Sequence, residues 1–357
     1  VAVLLSPPVR ANDATLDALM AEYWDHYLAR YPVAATRIGV DTFNDRFGSV
    51  TPTATAAHLE TERAFAGRLE DIDRESLSAE GRVNASILDW VLEDSISAGE
   101  LELYRIPFNT FAGFYMNALT AANGVRMETA DDYRDYLARL EDLPRYFSEN
   151  LDNMRRGAES NFVLPAVVIE GVLPTLRSQL KEKPEESSFY EPFRSIDDRI
   201  DEGTATELAA DARRIIVEDV LPAFESLVSF LEEEYPASSS IGASELDGGK
   251  EYYEFQIRRY TTLTDIDADE IHEIGLAEVA RIREEMDAII EQVGFEEGFD
   301  AVTEFLRTDG QFYAETPEAL LKEAAWIAKR IDSKLPGLFG KLRRQPYGVV
   351  PVPDDIA

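Results

Sequence analysis

Histidine is the side chain best suited to metal binding or proton transfer near neutral pH, and this chain has three: His26, His58 and His272. Glu273 follows His272, as in helical zinc hydrolases, where a second histidine four residues later places both imidazoles on one helix face. Leu276 occupies that position here. No two histidines have ligand spacing on one helix. The sequence therefore predicts no metal site within this chain, a surface role for His272 and a half-buried structural role for His26.

Asp265, Asp267 and Asp269 alternate like the beginning of a calcium-binding loop. Such a loop needs glycine at its sixth position and glutamate at its twelfth, where this chain has Glu270 and Leu276. Helix capping therefore explains Asp267 better. The sequence contains no cysteine, no glycine-rich phosphate loop and no Gly-x-Ser-x-Gly motif. These absences exclude thiolate chemistry and leave the chain without the usual nucleotide-binding and serine-hydrolase motifs.

Two segments have the composition of a ligand-binding cleft. Residues 104–117 combine aromatic side chains with two asparagines and a glycine, a mixture that can line a cleft but more often forms core around a helix–helix connection. Residues 252–262 include two arginines, which can bind a substrate carboxylate through paired hydrogen bonds or form ordinary salt bridges. The candidates for a substrate cleft are Tyr104, Asn109, Arg258, Arg259, Tyr260 and Tyr347.

The charge balance limits the partners of this protein. The 69 acidic residues outnumber the 35 basic ones, which gives a net charge of −34. Such a surface repels phosphate backbones, so nucleic acid and anionic membranes are poor partners, and we expect no nucleic acid to bind. A strongly acidic surface suits a salty environment, where ions screen the self-repulsion, and it also simply confers solubility.

The elements that must position these residues are predicted to be helices nearly throughout. Capping residues precede apolar side chains at three-to-four spacing, and Gly or Pro ends the segments. Helices are predicted to begin at Asn12 or Asp13, Thr51 with Pro52, Ser78, Thr129 with Asp132, Pro144, Thr206 with a kink at Pro222, Asp267 with Glu270, and Thr316 with Pro317. In the last helix, Leu320, Ala324, Ile327 and Ile331 are predicted to face inward. Residues 162–164 and 349–352 have only minor strand character, so the chain is predicted to be a large all-α, multi-helix assembly.

The two ends of the chain differ from its helical body. Residues 1–11 resemble the end of a signal peptide or a disordered arm, and no stretch is long and apolar enough to span a membrane. Residues 12–357 are predicted to form one helical domain, with a surface loop at 236–249. Residues 347–357 have the composition of an extended, apolar segment. We therefore expect the chain to be truncated before a catalytic part.

Three runs resemble one protein family. They are Lys-Glu-Tyr-Tyr-Glu-Phe from residue 250 through Arg-Tyr-Thr-Thr at 259–262, the segment Glu-Ile-His-Glu-Ile-Gly-Leu-Ala-Glu-Val-Ala-Arg-Ile-Arg-Glu-Glu-Met at 270–286, and Tyr-Gly-Val-Val-Pro-Val-Pro at 347–353. Residues 107–113 and 136–157 fit the same pattern. The chain is similar, over residues 13–357, to the N-terminal portion of the bacterial "domain of unknown function 885" family.

This resemblance implies a largely helical fold like that of helical zinc metallopeptidases, in proteins that are often exported or lipid-anchored. The family's metal-binding signature, a His-Glu … Gly-His-His cluster with a later Glu-Gly-Trp, lies beyond the equivalent of Ala357. No residue of this chain matches that signature. The resemblance thus implies zinc in the full-length protein and none in this chain, with the catalytic residues outside it.

Two function hypotheses follow. In the first, the chain is the N-terminal helical portion of a zinc-dependent, peptidase-like hydrolase and forms one wall of the cleft for a peptide or small-molecule substrate. In the second, it is a non-enzymatic helical binding or scaffold module of the cell envelope. Export to the periplasm or envelope is expected in both, although a cytoplasmic location fits the sequence too, and the pattern predicts no oligomeric state.

Overall fold

The computed structural model describes residues 11–196 and 198–352, and it is 70% helical with 1% strand. No sheet forms within these residues, so the all-α prediction is confirmed. Residues 162–164 and 349–352, which had weak strand character, form no strand. The predicted signal-peptide end lies outside the described residues except for Ala11, and so does the tail after residue 352. No helix in the described ranges is both long and apolar enough to cross a bilayer.

The chain divides into two compact units, one ending at Thr262 and the other beginning at Leu263. The helices of the first unit are α1 (Ala11–Arg30), α2 (Pro32–Arg37), α3 (Pro52–Glu70), α4 (Ala79–Glu100), α5 (Phe114–Leu119), α6 (Ala130–Glu141), α7 (Leu143–Glu159), α8 (Ala166–Arg177), α9 (Glu202–Ile215), α10 (Leu221–Ser229) and α11 (Gly249–Thr261). Pro32 is the first residue of α2, where its missing N–H costs no hydrogen bond within the helix.

Side-chain caps begin several helices where the sequence predicted them. The Thr51 side chain caps α3, whose first residue is Pro52, and the Ser78 side chain caps α4. Thr129 and Asp132 form a capping box at the start of α6. Each cap satisfies a backbone N–H of the first helical turn that has no partner within the helix.

The helical run after Asp201 contains two wide turns. It begins with the Asp201 side chain capping α9, and not at Thr206 as predicted. A π-helical turn, Ile216–Val220, separates α9 from α10, and a second one, Phe230–Glu234, follows α10. Pro222 has no N–H to donate, and in a regular helix its ring would contact the carbonyl four residues earlier. The π turn that ends at Val220 therefore accommodates Pro222, at the place where the sequence predicted a kink.

Two hydrophobic cores hold the first unit together. The smaller one lies between α1, α3 and α4 and includes the buried side chains of Leu16, Leu69 and Leu92. The larger one joins α2 and α5 through α10, where the rings of Phe147 and Phe224 lie 5.0 Å apart. Each such buried side chain stabilises the fold by about 1.5–3 kcal/mol relative to an exposed one, so these cores fix the positions of the surrounding loops.

Arg139 on α6 is fully buried, and all its hydrogen bonds go to uncharged acceptors. Its Nη2 donates to the carbonyl of Phe43 at 2.7 Å and to the hydroxyl of Thr36 at 2.8 Å. Nη1 donates to the carbonyl of Ala121 at 3.0 Å, and Nε to that of Arg46 at 3.2 Å. Burial lowers the pKa of Arg139 to about 10, so it remains charged at neutral pH. The guanidinium thereby ties α6 to the loop between α2 and α3.

Two of the three histidines stack against each other in the layer of α1, α3 and α4. The rings of His26 on α1 and His58 on α3 have centroids 4.5 Å apart. Glu62 is buried on α3, with Oε1 3.2 Å from Nε2 of His58, and it accepts a hydrogen bond from the hydroxyl of Ser95 on α4. Nε2 of His26 is buried without a hydrogen-bond partner among the described residues. Burial, and next the neighbouring His58, lowers the pKa of His26.

We expect the first unit to lose stability as the pH falls below about 6.5, the pKa of a histidine in an unfolded chain. Because folding lowers the pKa of His26, the unfolded chain binds the proton first, and stability falls until the pH has passed the folded pKa. Glu62 opposes this shift, whereas His58 and Arg30 reinforce it. Urea midpoints at about pH 7.5 and about pH 5.5 measure the effect. The variant His26→Phe should lose much of this pH dependence, and the exposed control His272→Phe should keep it. Equal pH dependence in both variants would contradict the assignment.

The second unit contains α12 (Ala268–Gln292), α13 (Gly298–Thr308) and α14 (Pro317–Asp332). The predicted capping box of Asp267 and Glu270 begins α12, and Thr316 caps α14. No residue from 263 to 352 is buried. Apolar side chains at helical spacing are instead exposed: Val279 is 68% exposed and Ile289 58% on α12.

The inward orientation predicted for α14 is wrong. Leu320 is 62% exposed, Ile331 55% and Ile327 45%, and Ala324 is only half-buried. The spacing that indicated an apolar helix face was correct, but no described residue of the second unit covers that face. Helix periodicity identifies the apolar side of a helix and says nothing about its partner.

Candidate functional site

Three of the six cleft candidates meet at the C-terminal half of α4. Arg258 and Arg259 reach α4 from α11, and Tyr104 lies in the 3-10 turn Leu103–Arg105 that follows α4 directly. We call this region, formed by residues 93–105 and α11, the α4–α11 cluster. It includes aromatic rings, guanidinium groups and carboxylates, and contains no histidine.

Both arginines of α11 form ion pairs with α4. Arg259 donates from Nε and Nη2 to the two carboxylate oxygens of Asp94, each at 2.8 Å, and this pairing raises its pKa. Arg258 lies 3.2 Å from a carboxylate oxygen of Glu93 and donates to the hydroxyl of Ser97 at 2.9 Å. The salt-bridge alternative is therefore realised. Recognition of a substrate carboxylate by these guanidiniums stays a prediction, and it would require an exchange of partners.

Tyr104 belongs to a second ion-pair network next to these arginines. Its hydroxyl donates to a carboxylate oxygen of Glu102 at 2.7 Å and accepts from Arg156 at 3.3 Å. Arg156 also donates to Glu102 at 3.0 Å, and its guanidinium lies 5.5 Å from the centroid of the Tyr104 ring. Burial raises the pKa of Tyr104. Burial also acts to raise the pKa of Glu102. The hydrogen bonds from Tyr104 and Arg156 together have the larger effect, so the pKa of Glu102 is lowered.

Aromatic contacts connect the end of α4 with α11. The guanidinium of Arg105 lies 4.5 Å from the centroid of the Phe162 ring, and that ring meets Tyr252 of α11 edge to face at 5.4 Å. On α11, Phe255 is buried beneath the guanidinium of Arg259 at 4.4 Å. Such cation–π contacts each stabilise by about 0.5–2 kcal/mol and hold the charged side chains in place. These contacts fix the charged side chains of the cluster around the end of α4.

Asn109 lies at the tip of a short hairpin and holds the turn together. Its side-chain oxygen accepts hydrogen bonds from the backbone N–H groups of Phe111 and Ala112 at 2.8 Å and 2.9 Å. Phe108 and Gly113 form an isolated bridge below the tip, and Gly113 has φ of 145°. Because its side-chain oxygen is engaged in the turn, Asn109 supports the hairpin, whereas Phe111 at the tip is 88% exposed.

The two remaining candidates are exposed tyrosines. Tyr260, near the end of α11, is 82% exposed. Tyr347 belongs to the second unit, where its hydroxyl lies 3.1 Å from a carboxylate oxygen of Asp332 and 3.4 Å from the carbonyl of Ala328. The structure therefore brings Tyr104, Arg258 and Arg259 together around α4, whereas Tyr347 belongs to the other unit.

Sequence reasoning missed Asp94 and Phe111. Asp94 and Arg259 are 165 positions apart, so no local pattern links them; only the adjacent acids at 93 and 94 on a predicted helix point to a charged partner. Phe111 was one of several aromatic residues in a run expected to be buried. A glycine two residues after it was the one sign of a tight turn.

The described residues do not fit a zinc site. Within the described ranges, no group of three or more His, Asp or Glu side chains could hold a metal ion. His26, His58 and Glu62 form the one cluster that contains two histidines and a carboxylate among the described residues. Its two imidazole rings, however, stack at an interplanar angle of 19°. Stacked rings direct their nitrogens along parallel planes, whereas tetrahedral ligands must converge on one point. His272 is exposed on α12, far in sequence from the other two.

Comparison with known proteins identifies a family that matches the chain and a solved protein of similar fold. The family model described as "Bacterial protein of unknown function (DUF885)" matches residues 32–357. No curated protein matches the chain. The fold is similar to a crystal structure described as a "putative lipoprotein" from Colwellia psychrerythraea, with a TM-score of 0.80 and 18% sequence identity. The match covers 92% of this chain and 60% of that one, so the chain spans less than two thirds of the solved protein.

Proposed function

The chain belongs to the bacterial DUF885 family, and from this premise we propose that it forms the helical, substrate-binding part of a peptidase-like hydrolase. In this proposal the α4–α11 cluster lies on one wall of the cleft, and the substrate is a peptide or a small molecule. Protein outside this chain supplies a zinc site, because the described residues here do not fit one. Residues 12–357 then act as one helical domain of the complete protein.

The exposed apolar faces of the second unit are the observation that most supports this proposal. On α12, Val279, Ile282 and Met286 are 68%, 44% and 44% exposed and share one face of the helix. On α14, Trp326 is 54% exposed, and Leu338 after that helix is 75% exposed. A row of exposed apolar side chains on one face of a helix is typical of a contact with other protein. The 60% coverage of the Colwellia protein agrees with further protein at this surface.

The complete product of the gene tests this proposal. We expect it to bind close to one zinc per chain and to hydrolyse fluorescein-labelled casein, with loss of activity on chelation. Replacing Val279, Ile282 and Met286 together by glutamine should lower zinc content and activity, because this face would contact the catalytic part. The matched triple Glu273→Gln, Glu284→Gln and Glu291→Gln alters only exposed polar positions of α12 and should leave both unchanged. The 357-residue chain alone should show neither property.

Peptide hydrolysis by the 357-residue chain alone would overturn the placement of the chemistry. Equal effects of the two triple replacements would show that the apolar face does not contact the catalytic part. A complete gene product without zinc and without hydrolysis would refute the hydrolase and favour the second function.

The second function is that of a non-enzymatic binding or scaffold module of the cell envelope. The description of the Colwellia protein as a lipoprotein favours it, together with the lack of a metal-binding cluster among the described residues. An exported or envelope location belongs to both proposals. Measured zinc content and casein hydrolysis separate them.

A further inference from the structure

A pocket of about 170 Å³ lies where α1 meets α2, and none of its lining residues belongs to the α4–α11 cluster. Its apolar surface comes from Tyr27, Pro32, Val33, Phe47 and Tyr146. The rings of Phe47 and Tyr146 stack at 4.6 Å with an interplanar angle of 6°. Cavities of about 150 Å³ lined by apolar side chains accept benzene, so this one is large enough for a compact aromatic or branched aliphatic group.

Two arginines line the same pocket, and no carboxylate does. Arg30 is the last residue of α1, and Arg37 is the last residue of α2. Nη1 of Arg30 donates to the carbonyl of Ser49 at 2.6 Å, and Arg37 donates to the hydroxyl of Thr120. Both acceptors are uncharged, and neither arginine has an ion-pair partner in the described part of the chain. In a protein with a net charge of −34, this is a local concentration of positive charge. We call it the Arg30–Arg37 pocket.

The acidic side chains behind the pocket already have hydrogen-bond partners of their own. Arg145 donates from Nε to Asp142 at 2.6 Å and from Nη1 to Glu149 at 2.7 Å. Asp142 also accepts from the backbone N–H of Phe47, and Glu149 from that of Val50, both at 2.8 Å. Neither carboxylate forms an ion pair with Arg30 or Arg37, so both guanidiniums remain available for an anion.

Two polar groups complete the lining. Asn117 donates from its side-chain nitrogen to the hydroxyl of Tyr146 at 3.4 Å. Burial raises the pKa of Tyr146, so its hydroxyl keeps its proton. That proton has no acceptor among the described residues. The Tyr146 O–H can thus donate to a ligand oxygen next to the aromatic surface.

The wall of the pocket is held rigidly. Gly48 lies so close to α1 that a Cβ atom there would be 2.4 Å from the carbonyl oxygen of Arg30. The residues before Gly48 are held by Arg139, which donates hydrogen bonds to the carbonyls of Phe43 and Arg46. These bonds fix the loop that presents Phe47. A pocket formed before binding costs little ordering entropy when a ligand enters.

We infer that the Arg30–Arg37 pocket binds an organic monocarboxylate with a compact apolar group, either a free acid or the C-terminal residue of a peptide. The guanidiniums match the planar, paired acceptors of a carboxylate, and the aromatic surface matches the apolar group. A small dianion such as phosphate fits less well, because desolvating a second charge beside apolar side chains is costly. This site is independent of the proposed function, and it can be tested by measuring binding without any enzymatic activity.

Calorimetric titration of the intact chain with N-acetyl-L-phenylalanine tests the site. We expect saturable binding of the acid. Binding of N-acetyl-L-phenylalaninamide, which lacks the charge, should be weaker by roughly tenfold or more, since a charge-assisted hydrogen bond contributes about 1.5–3 kcal/mol.

Arg30→Gln and Arg37→Gln should each weaken binding of the acid by about tenfold or more. The control Arg46→Gln removes the same charge from a side chain outside the pocket and should bind as the wild type does. Ala34→Trp fills the pocket without changing charge and should abolish binding.

A peptide ending in Ala-Ala-Phe, with and without a C-terminal amide, identifies the source of the carboxylate. Tighter binding of the free-acid peptide than of N-acetyl-L-phenylalanine assigns a chain end, and weaker binding assigns a free acid. Equal binding of acid and amide, unchanged binding in Arg30→Gln and Arg37→Gln, inorganic phosphate that competes as well as the acid, or no saturable binding would each overturn the inference.

Discussion

Replacement of Arg139 by methionine is expected to lower the free energy of unfolding of the first unit by about 3–5 kcal/mol. Methionine fills a similar volume but donates no hydrogen bond. The buried carbonyl of Ala121, the partly buried carbonyls of Phe43 and Arg46, and the Thr36 hydroxyl would then lose their donor. A buried acceptor without a partner costs about 1–3 kcal/mol, and partial rearrangement recovers some of the sum. Urea denaturation monitored by circular dichroism measures the change.

Arg134→Met is the matched control, because it lies on the same helix and makes only an exposed ion pair with Asp131. It should change stability by less than about 0.5 kcal/mol. Arg139→Lys separates charge from geometry. Lysine keeps the charge but cannot reach four acceptors in a plane, so it should rescue only a small part of the loss. Equal stability of Arg139→Met and Arg134→Met would show that the buried guanidinium is not a structural tie.

Gly113→Ala and Gly67→Ala are expected to change stability in opposite directions. Gly113 has φ of 145°, a conformation that residues with a Cβ atom rarely adopt, and the new methyl group would lie 2.2 Å from the Cβ of Phe108. We expect a loss of about 2–4 kcal/mol from strain and displacement of the hairpin. Gly67 is exposed on α3, and nothing lies within 4 Å of its added Cβ. There alanine should add about 0.5–1 kcal/mol.

Thermal and urea unfolding of the two variants, side by side, measures this contrast. Limited proteolysis near Phe111 provides a local readout, because a displaced hairpin exposes the chain at its tip. If Gly113→Ala were as stable as the wild type and equally resistant at the hairpin, the positive φ angle would not be a constraint of the fold.

Helix starts were predictable from the sequence because a cap acts over three residues. The Thr51, Ser78 and Asp267 side chains each bond a backbone N–H of the next turn, so the local sequence contains both partners. The start at Asp201 was missed because Thr206 has a similar capping side chain a few residues later. The 3.6-residue period of apolar side chains also predicted the all-α class correctly.

The sites depend on pairs that no local pattern connects. Arg259 and Asp94 are 165 positions apart, and Arg30 lines one pocket with Tyr146. Nothing in the residues next to Arg258 and Arg259 distinguishes a salt bridge from a ligand contact, which is why both alternatives stayed open. For α14, periodicity identified the apolar face, but its exposure depends on which protein packs there. Composition alone was enough to exclude thiolate chemistry.

The buried guanidinium of Arg139 also determines when the loop after α2 can fold during synthesis. Its bonds to Thr36, Phe43 and Arg46 span 93 to 103 positions of sequence. A ribosome adds residues in sequence, so the loop that follows α2 is synthesised well before its donor leaves the exit tunnel. Until α6 emerges, the carbonyls of this loop remain solvated by water and α2 has no fixed neighbour on that side. The N-terminal helices of the nascent chain therefore stay accessible to chaperones during that interval, which ends when α6 emerges.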